Sequence, residues 1–245
     1  MMLANDPFVL HSELPGGARP KPNYYLYAAL AALFAFSFFM FYTISLRANS
    51  DIRLHADMAS RYDYGNLRTI TSQLPNPLWH LIVSALYKLG LPLYVSAAFV
   101  TALCKLASMW LTHRLLTICL GRRVPRALIT TLALLLMIVT PVRVATINPY
   151  VYKGATSPNV WHNCTQNMVT AFMLLTIPYV VHLYGEYRAL RKTKGTLAML
   201  PWKQVFLLAL VLGLGLAAKP TFMQAFMPAC FRCSLVARLR EPGNG

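Results

Sequence analysis

Residues 24–46 read YYLYAALAALFAFSFFMFYTISL, a run without one charged side chain. Crossing the hydrocarbon core of a bilayer takes about 20 apolar residues in a helix. Tyr24, Tyr25, Tyr27 and Tyr42 lie near the ends of the run, where amphipathic rings meet the headgroup layer. The stretch is therefore expected to be a membrane-spanning helix, and the rest of the chain is read outward from it.

Composition agrees with that beginning. Of 245 residues, 57% are hydrophobic and 12% are charged, against about 25% charged in a soluble domain. Further apolar runs cover about 93–111, 127–147, 168–184 and 205–218. A shorter run, Leu78 to Leu89, contains Trp79, His80, Tyr87 and Lys88 and is expected to lie at the interface. The fold class expected is all-α: a polytopic membrane helix bundle of about five spans, with an interfacial helix in the first outer loop.

The formal net charge of +16 raises the question of a nucleic-acid partner. The basic residues sit in short loops beside apolar runs, which suits anionic lipid headgroups instead, and no nucleic acid is expected. The two strongly basic loops, 114–126 and 186–203, are placed on the cytoplasmic side by the positive-inside rule. Counting spans from them puts 47–76, 148–167 and the Lys219-Pro220 break on the outer face. Residues 1–23, polar and rich in Pro and Gly, form a mobile cytoplasmic tail in this reading. The bundle then occupies 24–229. The segment 230–245 turns abruptly from apolar to basic and is read as an atypical tail, with two readings open: a truncated or frame-shifted product, or a real tail. Cys230-Phe-Arg-Cys233 has redox or metal spacing but neither a second pair nor a nearby histidine.

The chain holds seven acidic residues. Between Glu13 and Glu186 they are Asp51, Asp57 and Asp63, all in the loop after the first span. Carboxylates kept together beside a bilayer point to use. Asp51 and His55 are four apart, as are Arg53 and Asp57, so a helix would put each pair on one face. The second outer loop carries Ser157-Pro158-Asn159-Val160-Trp161-His162-Asn163-Cys164-Thr165. Trp161, His162 and Asn163 offer a stacking ring and hydrogen-bonding groups of the kind that recognise a sugar. Lys153 precedes them as a phosphate-binding cation.

A first span, an outer loop with an Asp-x-x-x-His element, interfacial helices and then a bundle together resemble the multi-spanning GT-C class of glycosyltransferases, and in particular its uncharacterised bacterial members. The Ser-Pro-Asn-Val-Trp-His-Asn-x-Thr stretch is similar to one in uncharacterised bacterial multi-spanning proteins, which usually have Pro where this chain has Cys164. The resemblance covers roughly residues 24–225. It implies a cell-membrane enzyme, in the bacterial inner membrane, that transfers a sugar from a polyprenyl-phosphate carrier at the outer face. In that class an Asp of the first outer loop is the general base on the acceptor hydroxyl, and Asp51 is the best match, with Asp57 second. His55 would orient the carboxylate or contact phosphate. A hydroxyl acceptor needs a positioned base and a leaving phosphate needs cationic partners. Arg53, Arg61, Arg143, Lys153 and His162 are the candidates for the latter. The class has more spans than this chain. No second acidic motif is present, and no metal is expected. The rival reading is a polysaccharide polymerase or flippase component or a small transporter, for which Lys105 within a span and the Lys219-Pro220 break are the hints.

Overall fold

A computed structural model describes residues 22–66, 77–121, 124–139, 163–195 and 199–240. Among them every regular element is a helix: α1 (Tyr24–Ser45), α2 (Asp51–Ser60), α3 (Pro77–Lys88), α4 (Leu93–Leu120), α5 (Arg126–Ile138), α6 (Cys164–Lys194), α7 (Trp202–Ala218) and α8 (Thr221–Arg240).

Local sequence explains most of the boundaries. Asn23, Ser50 and Asn163 cap α1, α2 and α6: each side-chain oxygen accepts the backbone N–H three residues on, from Leu26, Arg53 and Gln166. Such caps satisfy N–H groups that have no partner inside the helix. Pro92, Pro125 and Pro201 precede α4, α5 and α7 with extended backbone, as proline favours at a helix entrance. Gly121 and Gly195 end α4 and α6 at φ of 60° and 61°, a conformation that costs a residue with a Cβ.

Among the described residues, three helices are long and apolar enough to cross a membrane: Tyr24–Ser45, Leu93–Leu120 and Cys164–Thr193. The apolar helices α5 and α7 are shorter. The expected continuation of the third run to residue 147 lies outside the described residues. The two loops read as cytoplasmic are largely helix: α4 runs on to Leu120, and α6 passes through Glu186, Arg188 and Arg191. The apolar pattern marks where a membrane would end, but a helix goes on until glycine stops it. The first polar loop is also helical in part, as α2. The run expected at the interface is α3, whose Trp79 and His80 are fully buried.

The bundle is organised on α4. In its most apolar window 61% of residues are buried, against 28% in α1 and in α6, so α4 is the innermost of the three long apolar helices. It packs on α1, α5, α6, α3 and α2. Small residues on α4 (Ser96, Ala97, Ala98, Ala102 and Ser108, all buried) permit the close approach that membrane helices use. One core cluster joins Phe41 at the end of α1, Ile52 and Ala56 of α2, Trp79 of α3, Ala97 of α4, Cys164 of α6 and Ala218 of α7. A second joins Leu26 and Leu33 of α1 to Met109 of α4 and Ala133 of α5. Thus α1 and α4 run antiparallel. The end of α1, the start of α6 and the end of α7 meet α2 and α3 at one end of the bundle.

Candidate functional site

The site is built at that end, from α2 outward. Asp51 opens α2, where a carboxylate suits the positive end of the helix dipole. Its i+4 neighbour is His55, and the two face inward with side-chain exposures of 22% and 16%. His55 Nε2 lies 3.5 Å from Asp51 Oδ1, long for a hydrogen bond. The other carboxylate oxygen, Asp51 Oδ2, is buried without a hydrogen-bond partner. On its far side His55 Nδ1 is 2.8 Å from His80 Nε2 of α3.

His80 is itself enclosed. Tyr62 stacks on its ring at 6.4 Å between centroids and Trp79 meets it edge-on at 5.3 Å. Trp79 is anchored in turn, its indole N–H donating to Thr101 Oγ1 of α4 at 3.2 Å. The His55–His80 pair is therefore held by the packing of α3 on α4.

Two further groups complete the cluster. Cys164, the first residue of α6, is fully buried. Its sulfur and the ligand atoms of Asp51 and His55 all lie within 4.8 Å of one another. The backbone N–H groups of Cys164 and Thr165 interact with that sulfur. Lys219, in the break between α7 and α8, is near enough for its charge to act on Asp51, His55 and Cys164. Burial pushes the His55 imidazole below its ordinary value; the Asp51 carboxylate opposes that, and Lys219 adds to it.

The Arg53–Asp57 pair leaves the other side of α2. Asp57 accepts a hydrogen bond from the Tyr94 hydroxyl of α4 at 3.2 Å and lies 3.9 Å from Arg53 Nε. Arg53 donates to the Leu46 carbonyl at 3.2 Å and lies 5.5 Å over the Tyr94 ring. Both are committed to holding α2 against the end of α1 and the start of α4. Arg61 follows α2 and is exposed. Asn163 caps α6 and lines a cavity of about 90 Å³ with Lys105, Ser108, Gln166, Asn167 and Thr170. Lys105 is 3% exposed, so the one cation within α4's apolar stretch faces the bundle interior. Arg143, Lys153, Trp161 and His162 lie outside the described residues.

Of the sequence-level candidates, Asp51 and His55 come together, Asp57 and Arg53 form a separate pair, and Asn163 sits beside Cys164. His80, Cys164 and Lys219 were not among them. Lys219 had a signal: a lysine ending an apolar run, on the face reached by counting spans to the Asp51 loop. His80 had none, because an interfacial His and a buried one look alike in a short apolar run. Compared with family models, curated proteins and solved structures, the chain matches none.

Proposed function

We propose that this chain is a membrane glycosyltransferase, or part of one, that takes a sugar from a polyprenyl-phosphate carrier, with Asp51 as the general base. One observation carries the reading: a half-buried carboxylate with an unpartnered oxygen lies within electrostatic reach of a lysine at a junction of helix ends. Transfer from a phosphate carrier needs both groups. The acceptor oxygen bonds to the anomeric carbon, the bond from that carbon to the phosphate oxygen breaks, and the acceptor's proton passes to Asp51. The departing polyprenyl phosphate keeps the electron pair, and Lys219 offsets its charge. His55, steadied by His80, is a positioning residue for the carboxylate. Asp57 is set aside as base because Tyr94 and Arg53 already occupy its oxygens.

The test uses the full chain in lipid nanodiscs with a panel of polyprenyl-phosphate-linked hexoses and pentoses and a panel of hydroxyl acceptors (mono- and oligosaccharides and lipid-linked glycans), reading release of polyprenyl phosphate. Release that falls about 10²- to 10⁴-fold in Asp51→Asn, with expression and folding retained, is the expected result. Release unchanged in that variant removes Asp51 as base. No release with any donor, from a folded chain, defeats the transferase reading.

A second reading has Lys105 behind it. A buried lysine beside an amide-lined cavity in a spanning helix is a feature of proteins that pass or hold a charged group within the membrane. A flippase or transporter component would depend on Lys105 and be indifferent to Asp51, so Lys105→Met and Asp51→Asn separate the two in the same nanodiscs.

A further inference from the structure

The geometry points to a site for a borderline divalent metal ion, of which Zn²⁺ is the type, on Asp51, His55 and Cys164, with His80 supporting it from behind. The inference goes beyond the transferase reading and does not need it. It also departs from the sequence-level expectation of no metal, which rested on the lack of a second acidic motif. The ligand set here is one oxygen, one nitrogen and one sulfur, brought together from two elements more than a hundred residues apart in the chain.

Several observations converge. Ligands around a tetrahedral zinc, at bond lengths of about 2.0–2.3 Å, stand about 3.3–3.7 Å from one another. His55 Nε2 and Asp51 Oδ1 are 3.5 Å apart, a good tetrahedral edge and a poor hydrogen bond. The whole set fits within 4.8 Å, so its widest edge must contract by only about 1 Å, which side-chain rotation supplies. A metal-ligating histidine almost always gives its other N–H to an acceptor that fixes tautomer and orientation. His55 Nδ1 and His80 Nε2 are 2.8 Å apart; in the tautomer whose Nδ1–H donates to His80, the lone pair of His55 Nε2 is open to a metal beside the Asp51 oxygen. Cys164 stands at the start of α6 with its sulfur turned to the Asp51 and His55 ligand atoms, and a coordinating metal itself deprotonates the thiol it binds.

The donor set selects the ion. Mg²⁺ and Ca²⁺ take oxygen ligands, whereas a thiolate with an imidazole suits Zn²⁺ and its neighbours. Three protein ligands leave a fourth position open, as in catalytic rather than structural zinc sites. A bound dication also changes the role of Lys219. Without it, the ammonium offsets the charge of Asp51. With it, Asp51 and the Cys164 thiolate are neutralised by the metal, and Lys219 is left to face an anion.

The probe is Co²⁺ titrated into the chelator-stripped full chain in detergent. One cobalt per chain is expected, with tetrahedral visible bands and a near-ultraviolet thiolate-to-cobalt charge-transfer band. Cys164→Ser should abolish that band and Cys104→Ser should leave it. His80→Gln, which removes no ligand, should weaken cobalt binding about 10- to 100-fold. No charge-transfer band in the unmutated chain, or one retained in Cys164→Ser, overturns the inference. Should Cys164→Ser not fold, zinc-edge X-ray absorption on the unmutated chain asks the same question. One sulfur among nitrogen and oxygen ligands is expected, and a shell with no sulfur or with two overturns it. The same preparations separate this site from the transferase reading. Cys164-dependent cobalt without sugar release leaves the metal site standing and defeats that reading, and release without the band does the reverse.

Discussion

The two faces of α2 carry nearly the same chemistry and come to different ends. Asp51 with His55 and Arg53 with Asp57 are both i,i+4 pairs of a carboxylate and a base, two residues out of step on one ten-residue helix. The offset turns one pair inward and the other toward the side. The inner pair, 22% and 16% exposed, meets His80 and Cys164 and feels the charge of Lys219. The outer pair, 35% and 42% exposed, meets Tyr94 and the Leu46 carbonyl. Water screens the outer charges, so their interactions fasten α2 in place. Little water reaches the inner ones, so an unpartnered oxygen there is available to a ligand. Burial, not residue type, makes one pair a candidate site and the other a clasp.

The sharpest way to break this contrast is to neutralise each carboxylate in turn. Asp51→Asn should lower polyprenyl-phosphate release about 10²- to 10⁴-fold, the range for loss of a positioned base. Asp57→Asn should change it only a few-fold, through a looser α2. Equal losses would show that the two faces are not functionally distinct.

Next in size is the wall behind the inner face. Trp79 is fully buried and its N–H donates to Thr101, whereas Trp110, on the same neighbouring helix α4, is 40% exposed. Trp79→Ala should cost about 3–5 kcal/mol of stability, read by denaturant unfolding in detergent, and should also loosen the His55–His80 pair. Trp110→Ala should cost under about 1 kcal/mol. A mild Trp79→Ala would mean that α3 does not support the site through α4.

A third measurement tests what Lys219 does. If it opposes a dication bound by Asp51 and Cys164, Lys219→Met should tighten cobalt binding about three- to tenfold, the scale of one partly screened charge. Weaker binding in that variant would make Lys219 a structural partner of the ligands.

Much of this architecture was legible. The uncharged run 24–46 announced a spanning helix, and α1 occupies Tyr24–Ser45. The spacing of Asp51 and His55 announced a shared face, and the helix is there, capped by Ser50. What the sequence hid follows from two physical facts. Hydropathy reports the solvent around a helix, not its length, so α4 and α6 run past their apolar stretches into the basic segments read as loops. Burial is a property of the packed bundle, so nothing local distinguished the enclosed His80 from an interfacial one, or marked Cys164 as facing Asp51. The spacing rule found a ligand pair within one helix. It had no means of finding the third member on another.

The smallest effect expected belongs to the outer face itself. Arg53 and Asp57 are a partly exposed pair at 3.9 Å, and pairs open to solvent contribute about 0.2–1 kcal/mol. Yet Arg53 also donates to the Leu46 carbonyl and covers Tyr94, and Tyr94 donates to Asp57. A double-mutant cycle on Arg53→Gln and Asp57→Asn isolates the ion pair from these other contacts. The coupling should lie under about 1 kcal/mol and shrink in high salt, while Arg53→Gln alone should cost more than the coupling because the Leu46 tie goes with it. A coupling that is large and insensitive to salt would mean that the outer pair is shielded from water. The two faces of α2 would then differ in their neighbours alone, and the argument from burial would fail.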